Sequence, residues 1–456
     1  MARIERQHME EQEPKLRAKN FLEVCDGFTE ETAKLEASRC LNCKNPPCVK
    51  GCPVNVKIPN FISLIRNGEF EKAGKVILET NSLPSICGRV CPQEIQCEQN
   101  CIRAKMEGAV SIGGLERFVA DKMLKNSKVE KIEISNGKKV AVVGGGPSSL
   151  TCAADLKKAG FDVTIFEAFH KLGGVLVYGI PEFRLPKDDI VEKEIENVLR
   201  LGVKVKLNTV IGKTITMEEL IEEFDAVYIG SGAGLPLFLG IEGETLRGVF
   251  SANEYLTRVN LMQAYKENSK TPIKRAKNAI VIGGGNVAMD GARTALRLGA
   301  NVTVVYRRSR EEMPARAEEV RHAEEEGVNF QMLTAPLKVL GENGQVKALL
   351  CEKMRLGEPD ASNRRSPIAI ENSEFEIPCD MLIVALGTSP NPIITSSFKS
   401  LQTARKGTLV VDDSNMTSVE NVYAGGDAVT GAATVILAMG AGRNAAKNII
   451  EKLGKK

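Results

Sequence analysis

The 456-residue sequence has little histidine, almost no excess of charge of either sign and no long apolar run, and each scarcity removes a class of function. Histidine occurs three times, at positions 8, 170 and 322, none near the cysteines, which weakens any mixed Cys/His zinc site. The 61 basic and 58 acidic residues leave a net charge of +3, so neither nucleic acid nor an anionic membrane is the expected partner. No uninterrupted apolar stretch approaches the length that spans a bilayer. The first eleven residues, from Met1 to Glu11, lack the apolar centre of a secretory signal. These absences point to a cytoplasmic chain, where disulfides are disfavoured. The length suits about three domains, and a 43% hydrophobic content supplies a sizeable core.

Cysteine, by contrast, is abundant: twelve residues, eight of them between Cys40 and Cys101. They read Cys40-x2-Cys43-x4-Cys48-x3-Cys52-Pro53 and Cys87-x3-Cys91-Pro92-x4-Cys97-x3-Cys101. The first run resembles ferredoxin-type spacing, in which closely spaced thiolates hold a [4Fe–4S] cube and the last cysteine serves a second cluster. Thiolates suit iron–sulfur chemistry because they are soft donors. Eight would fill two cubes; two structural zinc sites of four thiolates each are the alternative. Cys25, Cys152, Cys351 and Cys379 stand apart and read as buried apolar residues.

Up to about residue 130 the chain reads as helical and loop-rich, with no strand run. Amphipathic helices are predicted over 61–66 and 70–80, and another opens at Ile112-Gly113-Gly114-Leu115-Glu116. A polar stretch, 126–139, is the expected boundary. Strands and helices then alternate, which implies a parallel sheet.

Lys139 to Val143 is a buried-strand pattern that runs into Gly144-Gly145-Gly146-Pro147-Ser148 and a helix. Glycines there allow a pyrophosphate to approach the backbone, and the positive end of the helix dipole favours that anion. Ser149 replaces the third glycine of the usual pattern. The next strand, 162–166, ends in Glu167, where an acid binds a ribose hydroxyl. The same unit recurs at 278–282 with Gly283-Gly284-Gly285-Asn286-Val287, a helix to 298 and a strand over 301–306. That strand ends in Arg307 and Arg308, which suit the 2′-phosphate of NADP(H) by charge-assisted hydrogen bonds. The first site is most economically FAD, with Gly426 and Asp427 toward its ribityl chain and phosphate, and Gly173 and Gly174 near its ring. A nested arrangement is expected: a flavin unit over 135–255 and 375–456, an NADPH unit over 256–374, and a helical iron–sulfur domain over 1–134. Gly440 and Gly442 in the final amphipathic helix raise close helix packing in a membrane, which Arg443, Asn444 and Lys447 argue against.

Arg39-Cys40-Leu41-x-Cys43, Gly51-Cys52-Pro53-Val54, Cys87-Gly88-Arg89-Val90-Cys91-Pro92-Gln93, Gly144-Gly145-Gly146-Pro147 and Ala424-Gly425-Gly426-Asp427 together resemble the glutamate synthase small (β) subunit family. The segment Asn42-Cys43-Lys44-Asn45-Pro46-Pro47-Cys48-Val49 is similar, within it, to the large subunit of NADH-dependent reduced ferredoxin:NADP oxidoreductase. The resemblance implies one cube on Cys40, Cys43, Cys48 and Cys101, and another on Cys52, Cys91, Cys97 and Glu116, with Cys87 a structural thiol. It also implies a second redox subunit. A smaller flavin and [2Fe–2S] protein, through which ferredoxin could exchange electrons, would make an electron-bifurcating enzyme. A large amidotransferase would make glutamate synthase. A non-catalytic wiring subunit is the third alternative. Electrons are expected to pass from NADPH to FAD to the two cubes, with no side chain acting as a general acid. The second nucleotide unit lacks the Cys-x-x-Cys of a thioredoxin reductase.

Overall fold

The computed structural model describes residues 4–125, 129–361 and 363–454; the start of the predicted linker, 126–128, and the first three residues of the N-terminal segment lie outside the described residues. The cysteine-rich part is a helical cluster. Ile58–Arg66 places Ile58, Phe61, Ile62 and Ile65 on one buried face, at helical spacing. It packs with Phe70–Leu78 and Ile112–Lys125 around Ile77, Leu115 and Val119. Thr29 opens Glu30–Ala37 with a capping box, and prolines occupy the first turns of Pro47–Lys50 and Pro84–Val90, where a missing N–H costs nothing. One difference from the sequence reading is a short antiparallel ribbon, Glu10–Glu11 against Cys25–Gly27. Between its strands the chain buries Arg17, which pairs with Glu326 at 3.1 Å and ties the N-terminal arm to the second nucleotide unit.

Two parallel five-stranded sheets follow. The first runs Val422–Ala424, Ala226–Ile229, Lys139–Val143, Asp162–Phe166, Lys204–Lys206. The second runs Val249–Ser251, Met381–Val384, Asn278–Ile282, Asn301–Val305, Asn329–Gln331. The glycine-turn strand is central in both, with its partner strand at its side. The second unit is nested in the first, but sheet membership moves the expected limits at 255 and 375. Val249–Ser251 and Met381–Val384 pair within the second sheet, where they fill the positions that Val422–Ala424 and Ala226–Ile229 fill in the first. A two-stranded bridge, Leu235–Pro236 against Thr388–Ser389, marks where the chain leaves the first unit and returns.

An antiparallel sheet not anticipated from sequence, Thr334–Glu342, Gln345–Pro359, Arg365–Ala369 and Phe375–Pro378, lies against the second unit. Its hairpin turns at Asn343-Gly344, both with positive φ (53° and 75°). The final helix, Val435–Leu453, packs along Pro147–Lys158. Among the described residues no helix is long and apolar enough to cross a membrane.

Candidate redox centre

At the first glycine turn, Gly144 adopts φ +97°, and a Cβ there would stand 2.6 Å from the Gly230 carbonyl oxygen. Gly146, by contrast, has no atom within 4 Å of a Cβ position, and it supplies no side-chain cap to the helix Pro147–Lys158. The helix N-terminus therefore faces open space bounded by backbone, which fits a dinucleotide pyrophosphate. Glu167 is buried at the end of its strand, accepting hydrogen bonds from Gly145 N–H at 2.6 Å and Phe169 N–H at 2.8 Å. Burial raises its carboxyl, against the pull of those two N–H groups. Gly173 N–H donates to the Gly145 carbonyl, and Gly174 (φ +53°) would bring a Cβ within 3.0 Å of Gly146 Cα. Gly426 (φ +64°) lies equally close to Ser148. Burial pushes Asp427 up to about 6. Tyr178 is pushed up to about 12 by burial and then by the charges of Asp427 and Glu167, so these three groups share one neighbourhood. Gly144, Gly146, Pro147, Ser148, Glu167, Gly173, Gly174, Gly426 and Asp427 thus converge on one site.

The second turn repeats this design. Gly283 (φ +139°) would clash with the Ala385 carbonyl oxygen at 2.4 Å, whereas Gly285 meets nothing nearer than Pro314 at 3.9 Å. Val287, in the first helical turn, is 41% exposed, and Asn286 Oδ1 accepts from Arg316 N–H at 2.9 Å. The two arginines part company here. Arg307 is exposed. Arg308 is buried, paired with Asp360, and its Nε–H donates to the Arg365 carbonyl at 2.9 Å. The antiparallel sheet, invisible to the motif reading, supplies both partners.

Cys40, Cys43, Cys48 and Cys101 line one small cavity walled by Ile58, Ile62 and Val110. Burial pushes the Cys48 thiol up to about 12, and the neighbouring Cys101 and Cys40 sulfurs reinforce it. Four soft donors around one apolar space fit a cluster whose positive iron offsets the thiolate charge. Cys52, Cys91, Cys97 and Glu116 form a second group: burial raises the Cys97 thiol, and the charges of Glu98, Glu116, Cys91 and Cys52 raise it further. Burial pushes Cys52 up to about 11 and Glu116 up to about 7. Cys87 is close by: Cys91 beside it and burial raise its thiol, which contacts Met439 Sδ at 3.5 Å. Asn81, which the sequence reading passed over, ties the two candidates for the fourth position together. Its Nδ2–H donates to Glu116 Oε1 at 2.7 Å, and its Oδ1 accepts from Cys87 at 3.7 Å. Its position just ahead of the Pro84–Val90 helix was the available signal.

Both glycine turns are in packing contact with the segments that carry the second cysteine group. Gly442 brings the final helix onto Ser148 of the first glycine helix, where a Cβ would lie 2.1 Å from the Ser148 carbonyl oxygen. Two residues earlier, Gly440 lies against Pro53, next to Cys52. These glycines serve packing between two units of one chain. On the other side, Arg316 beside Asn286 reaches the cysteine domain, donating to Glu94 and Gln93 at 3.1 Å. A cavity of about 590 Å³ is lined by no residue of either glycine turn, and its arginines are taken up in ion pairs such as Arg184–Glu319 and Arg321–Glu11.

Residues 17–128 match the family model described as dihydropyrimidine dehydrogenase domain II, 4Fe-4S cluster, and residues 138–442 match that of pyridine nucleotide-disulphide oxidoreductase. The glutamate synthase [NADPH] small chain of Escherichia coli (strain K12) is 36% identical over 451 residues, covering 96% of this chain and 95% of that one. The chain belongs to the glutamate synthase small-chain family. It is an NADPH-dependent oxidoreductase with FAD, NADP(H) and [4Fe–4S] clusters as cofactors. Members of this family also form parts of longer proteins. The NADP(+)-dependent formate dehydrogenase subunit beta of Moorella thermoacetica is 39% identical over 89% of this chain, which spans only 60% of that protein. In fold, the nucleotide-binding part is similar to Mycobacterium tuberculosis FprA in complex with NADPH, with a TM-score of 0.60 at 20% identity, covering 70% of this chain and 84% of that one.

Proposed function

We propose that this chain is the NADPH-oxidising subunit of a cytoplasmic redox complex that hands electrons on singly to a second redox subunit. The observation that carries the reading is the unbroken packing from Gly146 through Ser148, Gly442 and Gly440 to Pro53 and Cys52, which sets a cysteine site beside a dinucleotide turn. Bound FAD takes up an electron pair as hydride and [4Fe–4S] clusters carry electrons one at a time, so this pairing converts two-electron into one-electron chemistry. The chain's own residues bind and orient. Arg307 holds the 2′-phosphate of NADPH, with Gly283, Gly285, Asn286 and Val287 at its pyrophosphate, while Arg308 stiffens the strand end through Asp360. Glu167 holds the flavin ribose, and Gly426 and Asp427 face its ribityl chain. Cys40, Cys43, Cys48 and Cys101 hold one cluster. Cys52, Cys91, Cys97 and Glu116 hold the other, with Cys87 as a structural thiol. The iron–sulfur domain covers 1–134, and the NADPH-binding insert runs between Leu235–Pro236 and Thr388–Ser389, with the flavin unit on either side.

In its specific form we propose the large subunit of an electron-bifurcating NADH-dependent reduced ferredoxin:NADP+ oxidoreductase, on the strength of the segment Asn42 to Val49. The second reading, the NADPH-oxidising small subunit of glutamate synthase, is supported by 36% identity along nearly the full length of such a chain. Anaerobic purification of the native complex separates them by the mass of the companion. A companion smaller than this chain with its own flavin is expected; one several times larger supports the second reading. Zinc in place of iron, or a protein without flavin, refutes both.

A further inference from the structure

We propose that Arg365, in the antiparallel sheet, is a second specificity residue for the 2′-phosphate of NADP(H), acting by neutralising Glu311 and Glu312 near Arg307. This role rests on the assignment of Arg307 above and extends it to a part of the chain that the glycine motif does not contain. The strand end offers less free positive charge than its sequence suggests. Arg308 is paired with Asp360, and Arg310 with Glu324. Arg307 is exposed and forms no ion pair among the described residues. Two carboxylates, Glu311 and Glu312, come next. The Ser309 hydroxyl stands within hydrogen-bond reach of both. That contact, with the Arg365 charge, holds both carboxyls below their ordinary range, so both are ionised at neutral pH.

The carboxylates belong to the wall of the second glycine turn. The Glu312 carbonyl accepts the Tyr306 hydroxyl at 2.8 Å, and the Tyr306 ring covers Gly284, where a Cβ would meet it at 2.7 Å. This is the strand-end side of the turn, which in a dinucleotide unit takes the adenosine ribose. Two negative charges there oppose an incoming phosphate and leave a free ribose hydroxyl nearly unaffected. Arg365 offsets them. Its Nε–H donates to Glu312 Oε1 at 2.5 Å, and its guanidinium stands 4.0 Å from Glu311. The side chain is still 48% exposed, so one face of the guanidinium remains open. Arg308 is not what places it: Arg365 pairs with Pro359 across the antiparallel ladder. Loss of Arg308 therefore leaves the cofactor preference unchanged, whereas loss of Arg365 alters it.

The test uses the complete, anaerobically purified protein and two fragments of the cofactor, adenosine 2′,5′-bisphosphate and AMP, with dissociation constants from calorimetry. We expect Arg365→Ala to weaken the bisphosphate about fivefold and AMP by less than about twofold, the scale of one partly exposed charge. Adding Glu311→Gln and Glu312→Gln to that variant should restore the bisphosphate to within about twofold, because the repulsion leaves with its source. Salt should shrink the alanine penalty. Arg365→Lys should keep the preference and Arg365→Gln lose it, which keeps the question decidable if the alanine variant fails to fold. Equal weakening of both ligands, or a penalty that the added glutamines do not relieve, overturns the role of Arg365. So does unchanged bisphosphate binding in Arg365→Ala while Arg307→Ala weakens it, an outcome that leaves the Arg307 site standing. If Arg307→Ala affects both ligands alike, or neither, the 2′-phosphate site itself is refuted, and the role of Arg365 with it.

Discussion

The two glycine turns are built alike and differ at one place. In each, the first glycine has positive φ because a side chain would strike a carbonyl oxygen of the neighbouring segment, that of Gly230 or of Ala385. In each, the third glycine faces open space. The difference lies at the end of the adjacent strand. Glu167 folds back to accept the Gly145 N–H, whereas Tyr306 covers Gly284 and leaves Arg307 outside. The first glycine is thus required by the fold and the third leaves open space, and the proposed reading gives the strand end the choice of ligand.

That division can be broken by substitution. Gly283→Ala should cost about 4 kcal/mol, a forbidden φ adding to a clash, and should lower the thermal midpoint. Gly285→Ala should leave the midpoint within about 1 kcal/mol and instead weaken NADPH binding about tenfold, measured as KM. Equal destabilisation by both would erase the distinction. Arg308→Ala should cost about 2 kcal/mol of stability by removing the ion pair with Asp360 and the bond to the Arg365 carbonyl, with no change in the preference for NADPH over NADH. Arg307→Ala should do the reverse: about 30-fold less kcat/KM with NADPH, unchanged with NADH, and unaltered denaturant midpoint. A shift of cofactor preference by Arg308 rather than Arg307 would reverse the assignment.

The smallest effect concerns the first site. Asp427 sits at about 6 through burial, against about 4 in an unfolded chain. Between those values the folded protein retains a proton that the unfolded chain has released, so stability falls as pH rises through that window. Asp427→Asn should flatten the fall, stabilising the protein at pH 7 by about 2 kcal/mol at most and leaving it unchanged near pH 4. Urea midpoints at the two pH values decide it.

The strands and helices around both turns were legible because each is a local pattern: Lys139–Val143 and Asn278–Ile282 are short apolar runs ended by glycine. The edge strand Val249–Ser251 was misassigned because it precedes the glycine strand it serves, and nothing local says which sheet it joins. The antiparallel sheet carried one readable signal, Asn343-Gly344 between alternating residues, which went unused. Arg17 could not be read at all. It is one arginine in a polar segment, and its buried partner Glu326 is 309 positions away.

Sequence alone determined the inventory of chemistry: soft sulfur donors at cluster spacing, glycines where a phosphate must approach backbone, an acid after one strand and arginines after another. Those are short-range facts, set by spacing along the chain. Tertiary structure alone decided which of them are available to a ligand. Arg308 is bound to Asp360, Cys87 stands beside both Cys91 and Asn81, and Gly440 sits on Pro53. Each depends on a contact partner from another segment, and packing, not spacing, selects that partner.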